Sequence, residues 1–314
     1  MNGGCDCMFY TSIYARGFEL ISRFPWRIGI VGFMVYPELQ RTNIGVAEKL
    51  KPILEDRFFD LVELYDVSDD DWRILEGYRC RIDFAIGVQP DILAKGLNPS
   101  SIDESERVRA VEALKGRVRA AGERGVKYLA LCSGPYPSEG LIEESRKALA
   151  DTLTELASYA SKYGTTILLE SFDTRWDRRR LIGSLTDTVD VLRRVRVRCS
   201  NIALLWDLSH GPLLDEKPEM LRDYSDLIGH IHIGCAKSVD GRLLDTHPGF
   251  YRPGAINDEK DVARLLEVLY DIGYSGAISF EVRPEEGQDP REVVATAKSV
   301  LVRAYQIFME KKLG

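Results

Sequence analysis

Eight short apolar segments alternate with segments that can form helices, and this alternation limits the fold of the chain more than any other feature. The apolar segments begin at positions 27, 60, 81, 127, 165, 201, 229 and 276. Apolar strands that alternate with amphipathic helices are typical of a parallel sheet whose outer face is covered by those helices. Eight such units close naturally into a barrel. The sequence therefore predicts an α/β protein built as one (β/α)8 barrel, a TIM barrel.

The segments between the strands agree with this prediction. Two of them, SERVRAVEALKGRVRAAGERG and DVARLLEVLYDIG, place apolar residues three and four positions apart, as an amphipathic helix requires. The rival α/β architecture, a doubly wound dinucleotide-binding sheet, would carry G-x-G-x-x-G directly after its first strand. The chain offers only Gly29 and Gly32 there, inside the strand itself. The pattern thus favours the barrel.

The domain prediction divides the 314 residues into two parts. Residues 27–314 form the barrel, and residues 1–26 form an N-terminal extension that we expect to be poorly ordered. The extension has neither a basic leader nor a continuous apolar core, so it does not predict a signal peptide. Cys5 and Cys7 lie in this extension and are expected to be unpaired thiols.

Composition limits the partners of the chain. Its formal net charge of −7 argues against a nucleic-acid partner, because such proteins neutralise phosphates with a basic face. No apolar run approaches the length of a membrane span. The six cysteines lack C-x-x-C spacing, which indicates neither a disulfide framework nor a zinc ribbon and is typical of a reducing compartment. We therefore expect a cytoplasmic protein that binds a small molecule, with no nucleic acid or membrane as partner.

Acidic residues and histidines mark the ends of the last four predicted strands. Glu170, Asp207 and Glu281 end the fifth, sixth and eighth strands, and His232 lies near the end of the seventh. The carboxyl ends of barrel strands form the active-site face, so these four side chains should converge. Three carboxylates in one place would repel one another unless a cation or a proton offset their charge. The sequence therefore predicts a divalent-metal site with Glu170, Asp207, His232 and Glu281 as its ligands.

The predicted ligands also limit which metal ions can bind at this site. Three carboxylates and one imidazole favour Mn²⁺, Mg²⁺ or Co²⁺ over metals that prefer thiolates, and Zn²⁺ remains an alternative. One ion is expected, with Mn²⁺ as the first choice. His230 shares a strand face with His232 but lies deeper in the barrel, so we expect it to support the ligands rather than to bind the ion directly.

Four motifs resemble those of a known family, the xylose-isomerase-like TIM barrels, which include sugar phosphate isomerases and epimerases. They are LLES around Glu170, WDLSH with Asp207 and His210, HIHIG with His232, and SFEVRP with Glu281. The resemblance covers about residues 27–312. It implies that one divalent ion binds Glu170, Asp207, His232 and Glu281. It also implies that the two glutamates are catalytic, because in the ketose epimerases they face opposite sides of the sugar and move its proton.

The same resemblance implies further residues around the substrate. The histidine equivalent to His210 contacts substrate oxygens or a further metal in the family. Related barrels carry D-x-H beyond the seventh strand, as Asp245 and His247 do here, and the histidine lines the pocket. We therefore expect His210 and His247 to bind substrate and Asp245 to support them from behind. Members of the family commonly pair subunits, which makes a homo-oligomer a further expectation.

The chain departs from the ketose epimerases where those enzymes recognise their substrate. Trp176 replaces a substrate-binding glutamate, and the segment after HIHIG has Lys237 beside Cys235 and Ser238, where a glutamate and an arginine are usual. Both changes leave a different or charged sugar open as the substrate. Trp176 and Lys237 are thus candidate substrate-binding residues.

Two more candidates follow from their positions in the strands, Arg283 for a substrate anion and Glu63 for a sugar hydroxyl. In loop five, Arg175, Arg178, Arg179 and Arg180 are more simply explained as a solvated surface than as an anion site.

These observations predict a divalent-metal-dependent isomerase or epimerase that acts on a sugar or sugar phosphate. It would transfer a proton next to a carbonyl group through a metal-stabilised enediolate. One alternative is a phosphodiesterase of the apurinic-endonuclease type, whose motifs resemble the chain at seven site residues. That class also needs histidines after the third and fourth strands, where this chain has GVQPD and LCSGP. The other alternative is a sugar dehydratase that uses the same metal site.

Overall fold

The computed structural model describes residues 9–15 and 17–313 of the chain. Within these residues it contains twelve strands and ten α-helices. The strands are β1 (Tyr10–Ala15), β2 (Phe18–Arg23), β3 (Arg27–Val31), β4 (Leu61–Leu64), β5 (Asp83–Gly87), β6 (Tyr128–Cys132), β7 (Thr166–Glu170), β8 (Ile202–Asp207), β9 (Ile228–Ile233), β10 (Lys237–Val239), β11 (Arg242–Leu244) and β12 (Ala277–Phe280). The helices are α1 (Gly32–Val35), α2 (Val46–Leu54), α3 (Asp69–Glu76), α4 (Gln89–Leu93), α5 (Glu104–Glu123), α6 (Ile142–Ser161), α7 (Leu185–Arg196), α8 (Gly211–Leu214), α9 (Glu259–Asp271) and α10 (Pro290–Leu313).

Eight of the strands form a closed barrel in the order β12-β3-β4-β5-β6-β7-β8-β9, and every neighbouring pair is parallel. Each of the eight predicted apolar segments overlaps one of these strands, and only β9 begins one residue before its segment. The predicted fold class, an α/β (β/α)8 barrel, is therefore confirmed.

The helices outside the barrel bury one face each. In α9 the buried side chains include Val262, Leu265, Leu266 and Leu269, which recur at helical spacing. The Asp258 carboxylate begins this helix by accepting hydrogen bonds from the backbone N–H groups of Lys260 and Asp261. The apolar face that the sequence pattern predicts for this helix therefore forms its contact with the sheet.

Inside the barrel a small apolar cluster lies apart from the main core that separates sheet and helices. It consists of Ala130, Leu168, Ala203 and Leu205. A register shift between β8 and β9 pairs Asp207 with His232, so that both side chains reach the same level of the barrel. Gly229 lies at this shift, where a Cβ atom would stand 2.6 Å from the Cβ of Ala203. A residue without a side chain is therefore needed at the step that aligns the two predicted ligands.

A β-hairpin, β1–β2, precedes the barrel and packs against its last helix, α10. Phe9 stacks on Phe24 with ring centroids 4.9 Å apart, and the Gln306 amide donates to Thr11 Oγ1 at 3.0 Å. The predicted extension over residues 1–26 thus contains ordered structure that the sequence analysis did not foresee. Cys5 and Cys7 lie outside the described residues, and the division of the chain at residue 27 stays a prediction. Among the described helices, none has the length and apolar character needed to cross a membrane.

Candidate metal centre in the barrel mouth

The four predicted metal ligands meet at the carboxyl ends of their strands. Glu170 and Asp207 are the last residues of β7 and β8, His232 lies in β9, and Glu281 directly follows β12. One candidate ligand atom from each residue lies within 4.8 Å of those of the other three. The Nδ1 atom of His232 is 2.7 Å from Glu281 Oε2 and 3.9 Å from Glu170 Oε1. The structure therefore brings together the donor set that the sequence predicted.

This donor set fits a divalent cation. All four side chains are buried, and Glu170 Oε1 has no hydrogen-bond partner among the described residues. A buried carboxylate oxygen without a donor is costly unless a cation or proton compensates it. Three carboxylates and one imidazole are hard donors of the kind that Mn²⁺, Mg²⁺ and Co²⁺ accept, and that Zn²⁺ also tolerates.

The electrostatics of the site show how much charge a cation would balance. Burial and the nearby charge of Glu281 raise the pKa of Glu170 to about 8. Burial would also raise the pKa of Glu281, but His247 and His232 outweigh it and lower that pKa to about 2. Burial would lower the pKa of His232, yet Glu63 and Glu281 raise it well above the usual imidazole value. Protons thus occupy the site in the absence of a metal, and a cation would displace them.

Glu63 orients His232 from inside the barrel. Its carboxylate lies 3.1 Å from His232 Nε2 and 2.7 Å from His230 Nε2, and it is 2% exposed. The contact at Nε2 leaves Nδ1 of His232 facing the other ligands, which is the usual arrangement of a carboxylate behind a metal-binding histidine. His230 lies beside Glu63 and His232, with which it forms a further group of possible ligand atoms, and its supporting role stays a prediction. Glu63 does not line the cavity, so the geometry gives it this supporting position in place of the predicted contact with a sugar hydroxyl.

We expect Glu63→Gln to weaken metal binding by roughly 10- to 100-fold, because such supporting carboxylates typically carry that much affinity. The amide would remove the negative charge that holds the proton on His232 Nε2. The dissociation constant for Mn²⁺, measured by isothermal titration calorimetry, checks this expectation. Glu55→Gln, on the exposed end of α2, serves as a charge-matched control. Equal affinities for the two variants would contradict the assigned position of Glu63.

A second group of donors adjoins the first one. Asp207, His210 and His247 have ligand atoms within 4.8 Å of one another, and Asp245 Oδ1 lies 2.6 Å from His247 Nε2 and 3.3 Å from His210 Nε2. His210 Nδ1 is 2.8 Å from the carbonyl oxygen of Ser171, which it can contact only as a donor. Burial would lower the pKa of His210, but the charges of Asp207 and Asp245 raise it well above the usual imidazole value. Without a metal, this second group is therefore held together by contacts between imidazole and carboxylate, and its atoms could hold a further cation only after the rings lose protons.

Three of the four candidate ligands line a cavity of about 120 Å³, whereas Asp207 and the predicted substrate-binding residue His210 do not. Predicted site residues in its wall are Glu170, His232, Asp245, His247, Glu281 and Arg283. Trp176 and Lys237 do not line it: the Trp176 ring lies beneath the Arg175 guanidinium at 5.3 Å, and the Lys237 ammonium is bonded to Glu285. Their predicted role in substrate binding stays a prediction without support from this geometry.

The sequence did not predict several residues of the cavity wall. They include Phe33, Met34, Gln89 and Phe172, and Arg178 also lies in the wall, where the surface interpretation had not placed it. Gln89, at the start of α4, donates its amide N–H to Glu170 Oε2 at 2.7 Å, while its Oε1 atom is buried without a donor. Gln89 follows the third barrel strand, and residues at the carboxyl ends of barrel strands are expected to face the mouth. This position could have identified Gln89 as a site residue.

Arg178 is the one arginine of loop five that reaches the cavity. Its guanidinium donates to Asp245 Oδ2 at 2.9 Å and to the Asp245 carbonyl oxygen at 2.8 Å. The loop turns around Asp173, whose carboxylate accepts hydrogen bonds from the backbone N–H groups of Arg175, Asp177 and Arg178. Arg178 therefore holds the Asp245–His247 segment in place, and Arg175 and Arg179 are exposed, as the surface interpretation predicted.

Comparison with known proteins agrees with this description. The inosose isomerase of Bacillus subtilis strain 168 is 27% identical over 209 residues, which cover 64% of this chain and 70% of that protein. The 3-dehydro-D-guloside 4-epimerase of Escherichia coli K12 is 25% identical over 201 residues, covering 60% of this chain and 69% of that protein. The crystal structure of the IOLI protein with a zinc atom superposes with a TM-score of 0.70 at 21% identity, over 90% of this chain and 99% of that one.

The family assignment rests on a longer match. Residues 59–303, more than half of the chain, match the family model described as xylose isomerase-like TIM barrel. This range includes β4 to β9 and β12, and hence all four candidate metal ligands and Glu63. The chain therefore belongs to the xylose isomerase-like TIM barrel family.

Proposed function

We propose that this chain is a divalent-metal-dependent isomerase or epimerase of a sugar or sugar phosphate. The observation that carries the proposal is the convergence of Glu170, Asp207, His232 and Glu281 on one buried point, beside a cavity that three of them line. The similarity to an inosose isomerase and to a sugar 4-epimerase supports the same class of reaction. The reaction would be a proton transfer at a carbon next to a carbonyl group.

A bound divalent ion would act as a Lewis acid that polarises the carbonyl group of the substrate. Glu170 and Glu281 would both bind the ion as carboxylates, so either one can accept the proton from the carbon. The glutamate that accepts the proton can return it to a neighbouring carbon. Gln89 Oε1 can accept a hydrogen bond from a sugar hydroxyl at the wall of the cavity.

We propose Mn²⁺ as the resident ion and the cytoplasm as the compartment. The three carboxylate donors support a hard cation, and metal analysis of the purified protein distinguishes Mn²⁺ from Mg²⁺, Co²⁺ and Zn²⁺. Cys132 and Cys235 are buried free thiols, which supports a reducing compartment.

A deuterium wash-in assay tests the proposed reaction. The metal-loaded protein is incubated in D2O with a panel of ketoses, aldoses, inososes and their phosphates, and exchange is followed by NMR. We expect one carbon-bound proton next to the carbonyl group to exchange in at least one sugar, together with formation of its isomer. Loss of water instead would assign the chain to the dehydratases. No exchange with any sugar, in protein that retains its metal, would contradict the proposal.

The second candidate function is a metal-dependent phosphodiesterase. The observation that favours it is the adjoining donor group of Asp207, His210 and His247, which could hold a further ion beside the first. Against it, the third barrel strand is followed by Gln89, whose amide already bonds to Glu170, where that class needs an additional histidine. Cleavage of a duplex that contains an abasic site, without proton exchange on any sugar, would reverse the order of the two candidates.

A further inference from the structure

One cation in the wall of the cavity has no partner. Arg283 follows β12 by three residues and lines the same cavity as Glu170 and Glu281. Among residues 9–15 and 17–313, no carboxylate pairs with its guanidinium and no acceptor receives a hydrogen bond from it. A guanidinium carries five donors in a fixed fork, so a half-buried one without partners leaves a large binding capacity unused.

The backbone holds this guanidinium in its position. The Arg283 N–H group donates to the His247 carbonyl oxygen at 2.7 Å, and Arg283 forms a parallel bridge with Pro248. Pro284 follows and restricts Arg283 to an extended conformation. The cation is therefore attached to the same segment that carries His247, and little backbone freedom would be lost when it binds a ligand.

The surroundings of Arg283 are positive. The charges of Arg178 and Arg41 act on its guanidinium. Arg178, the other arginine in the wall, is already bonded to Asp245 and cannot offer the same fork to a ligand. The carboxylates of the mouth thus do not neutralise the end of the cavity at which Arg283 lies.

We propose that Arg283 binds an anionic group of the substrate, a carboxylate or a phosphate, while the reacting carbonyl lies at the glutamates. This inference rests on the proposed function, because it assumes that the substrate occupies this cavity. Planar bidentate contacts between a guanidinium and a carboxylate or phosphate are among the strongest hydrogen bonds in proteins. The substrate class is therefore an acidic sugar, either a sugar acid or a sugar phosphate.

The test compares neutral and charged forms of one sugar. D-Fructose, D-fructose 6-phosphate and D-fructuronate share a ketone and differ at carbon six, so the two charged probes distinguish the phosphate from the carboxylate. Dissociation constants are measured by isothermal titration calorimetry on the manganese-loaded protein, and turnover by deuterium wash-in. We expect at least one charged probe to bind about tenfold or more tightly than D-fructose, as charge-assisted hydrogen bonds imply.

The variants assign this preference to one residue. In Arg283→Met, the ratio of affinities for the charged and neutral probes should fall by about tenfold, and Arg283→Lys should restore part of it as a point charge without the fork. Arg175→Met is the matched control, since it removes an exposed arginine outside the cavity wall. An equal fall in the ratio for Arg175→Met, or an unchanged ratio for Arg283→Met, would overturn the inference, as would equal or weaker binding of both charged probes.

The outcomes also separate this inference from the reaction. Binding of a charged probe that depends on Arg283, without exchange of any carbon-bound proton, would support the anion site and contradict the proposed isomerase. Exchange on neutral sugars alone would support the isomerase and overturn the anion site.

Discussion

The substitution Glu281→Gln should lower kcat by roughly 10²- to 10⁴-fold, the usual contribution of a general acid or base. Glu281 has a pKa of about 2 because His247 and His232 outweigh the effect of burial, so it is ionised at every pH of interest. An amide of the same shape can neither accept a proton nor balance a cation. The measurement is kcat at saturating Mn²⁺, on the sugar that the wash-in assay identifies.

Metal loss alone could mimic this result, so the bound metal has to be measured in the same samples. Glu286→Gln is the matched control, because Glu286 is an exposed glutamate five residues further along the chain. We expect this control to retain both metal and turnover. Full activity of Glu281→Gln with its metal retained would show that the proton is moved by another group.

The partner substitution, Glu170→Gln, distinguishes the two reaction types. If the two glutamates act on opposite faces of the sugar, each single variant should stop turnover but retain proton exchange from one epimer. A single base that works between neighbouring carbons would lose all exchange in one variant. The pattern of residual exchange therefore identifies the chain as an epimerase or an isomerase.

The barrel and the convergence of the four candidate ligands could be predicted because both depend on short-range patterns. Strand segments were apolar and bounded by turns, and the polar residues that end them must face one edge in a parallel barrel. Alternation along β9 predicts that His230 and His232 lie on the same, inner face of the barrel. The convergence of Glu170, Asp207, His232 and Glu281 follows from these two rules alone.

The contact between Glu63 and His232 could not be predicted in the same way. The two residues are 169 positions apart, and their strands, β4 and β9, are not neighbours in the barrel. Whether their side chains meet depends on the stagger of the closed barrel and on the size of the interior residues between them. The sequence pattern of a single strand gives neither the stagger of the barrel nor the packing of those interior residues.

Loop residues were harder to place because their directions depend on individual hydrogen bonds. Asp173 accepts hydrogen bonds from four successive backbone N–H groups of the loop that follows it, including that of Trp176, and this turn leaves the Trp176 ring beneath Arg175 instead of in the cavity wall. Lys237 was a candidate because of its position after β9, but its ammonium group pairs with Glu285.

The hairpin β1–β2 was not predicted because its strands have few apolar residues that alternate. The hairpin is stabilised by its packing on α10.

Metal affinity should fall steeply as the pH falls. In the metal-free protein the pKa of Glu170 is raised to about 8, and that of His232 is raised well above its usual value. Both groups must lose their protons to bind a cation, so below about pH 8 metal binding releases one to two protons. Low pH favours the protonated, metal-free form, and we expect the Mn²⁺ association constant to drop roughly 100- to 10,000-fold between pH 8 and pH 6.

Calorimetry in buffers with different ionisation enthalpies counts the protons released and checks this expectation directly. The variant Glu170→Gln has no proton to release at that position, so its proton count should be lower by about one and its pH dependence correspondingly shallower. Glu281→Gln should lower the count less than Glu170→Gln does, because a carboxyl group with a pKa of about 2 releases no proton itself and acts only through its charge on Glu170 and His232. A pH-independent affinity between pH 6 and 8 would mean that protons do not occupy the site, and the electrostatic argument for a cation there would fail with it.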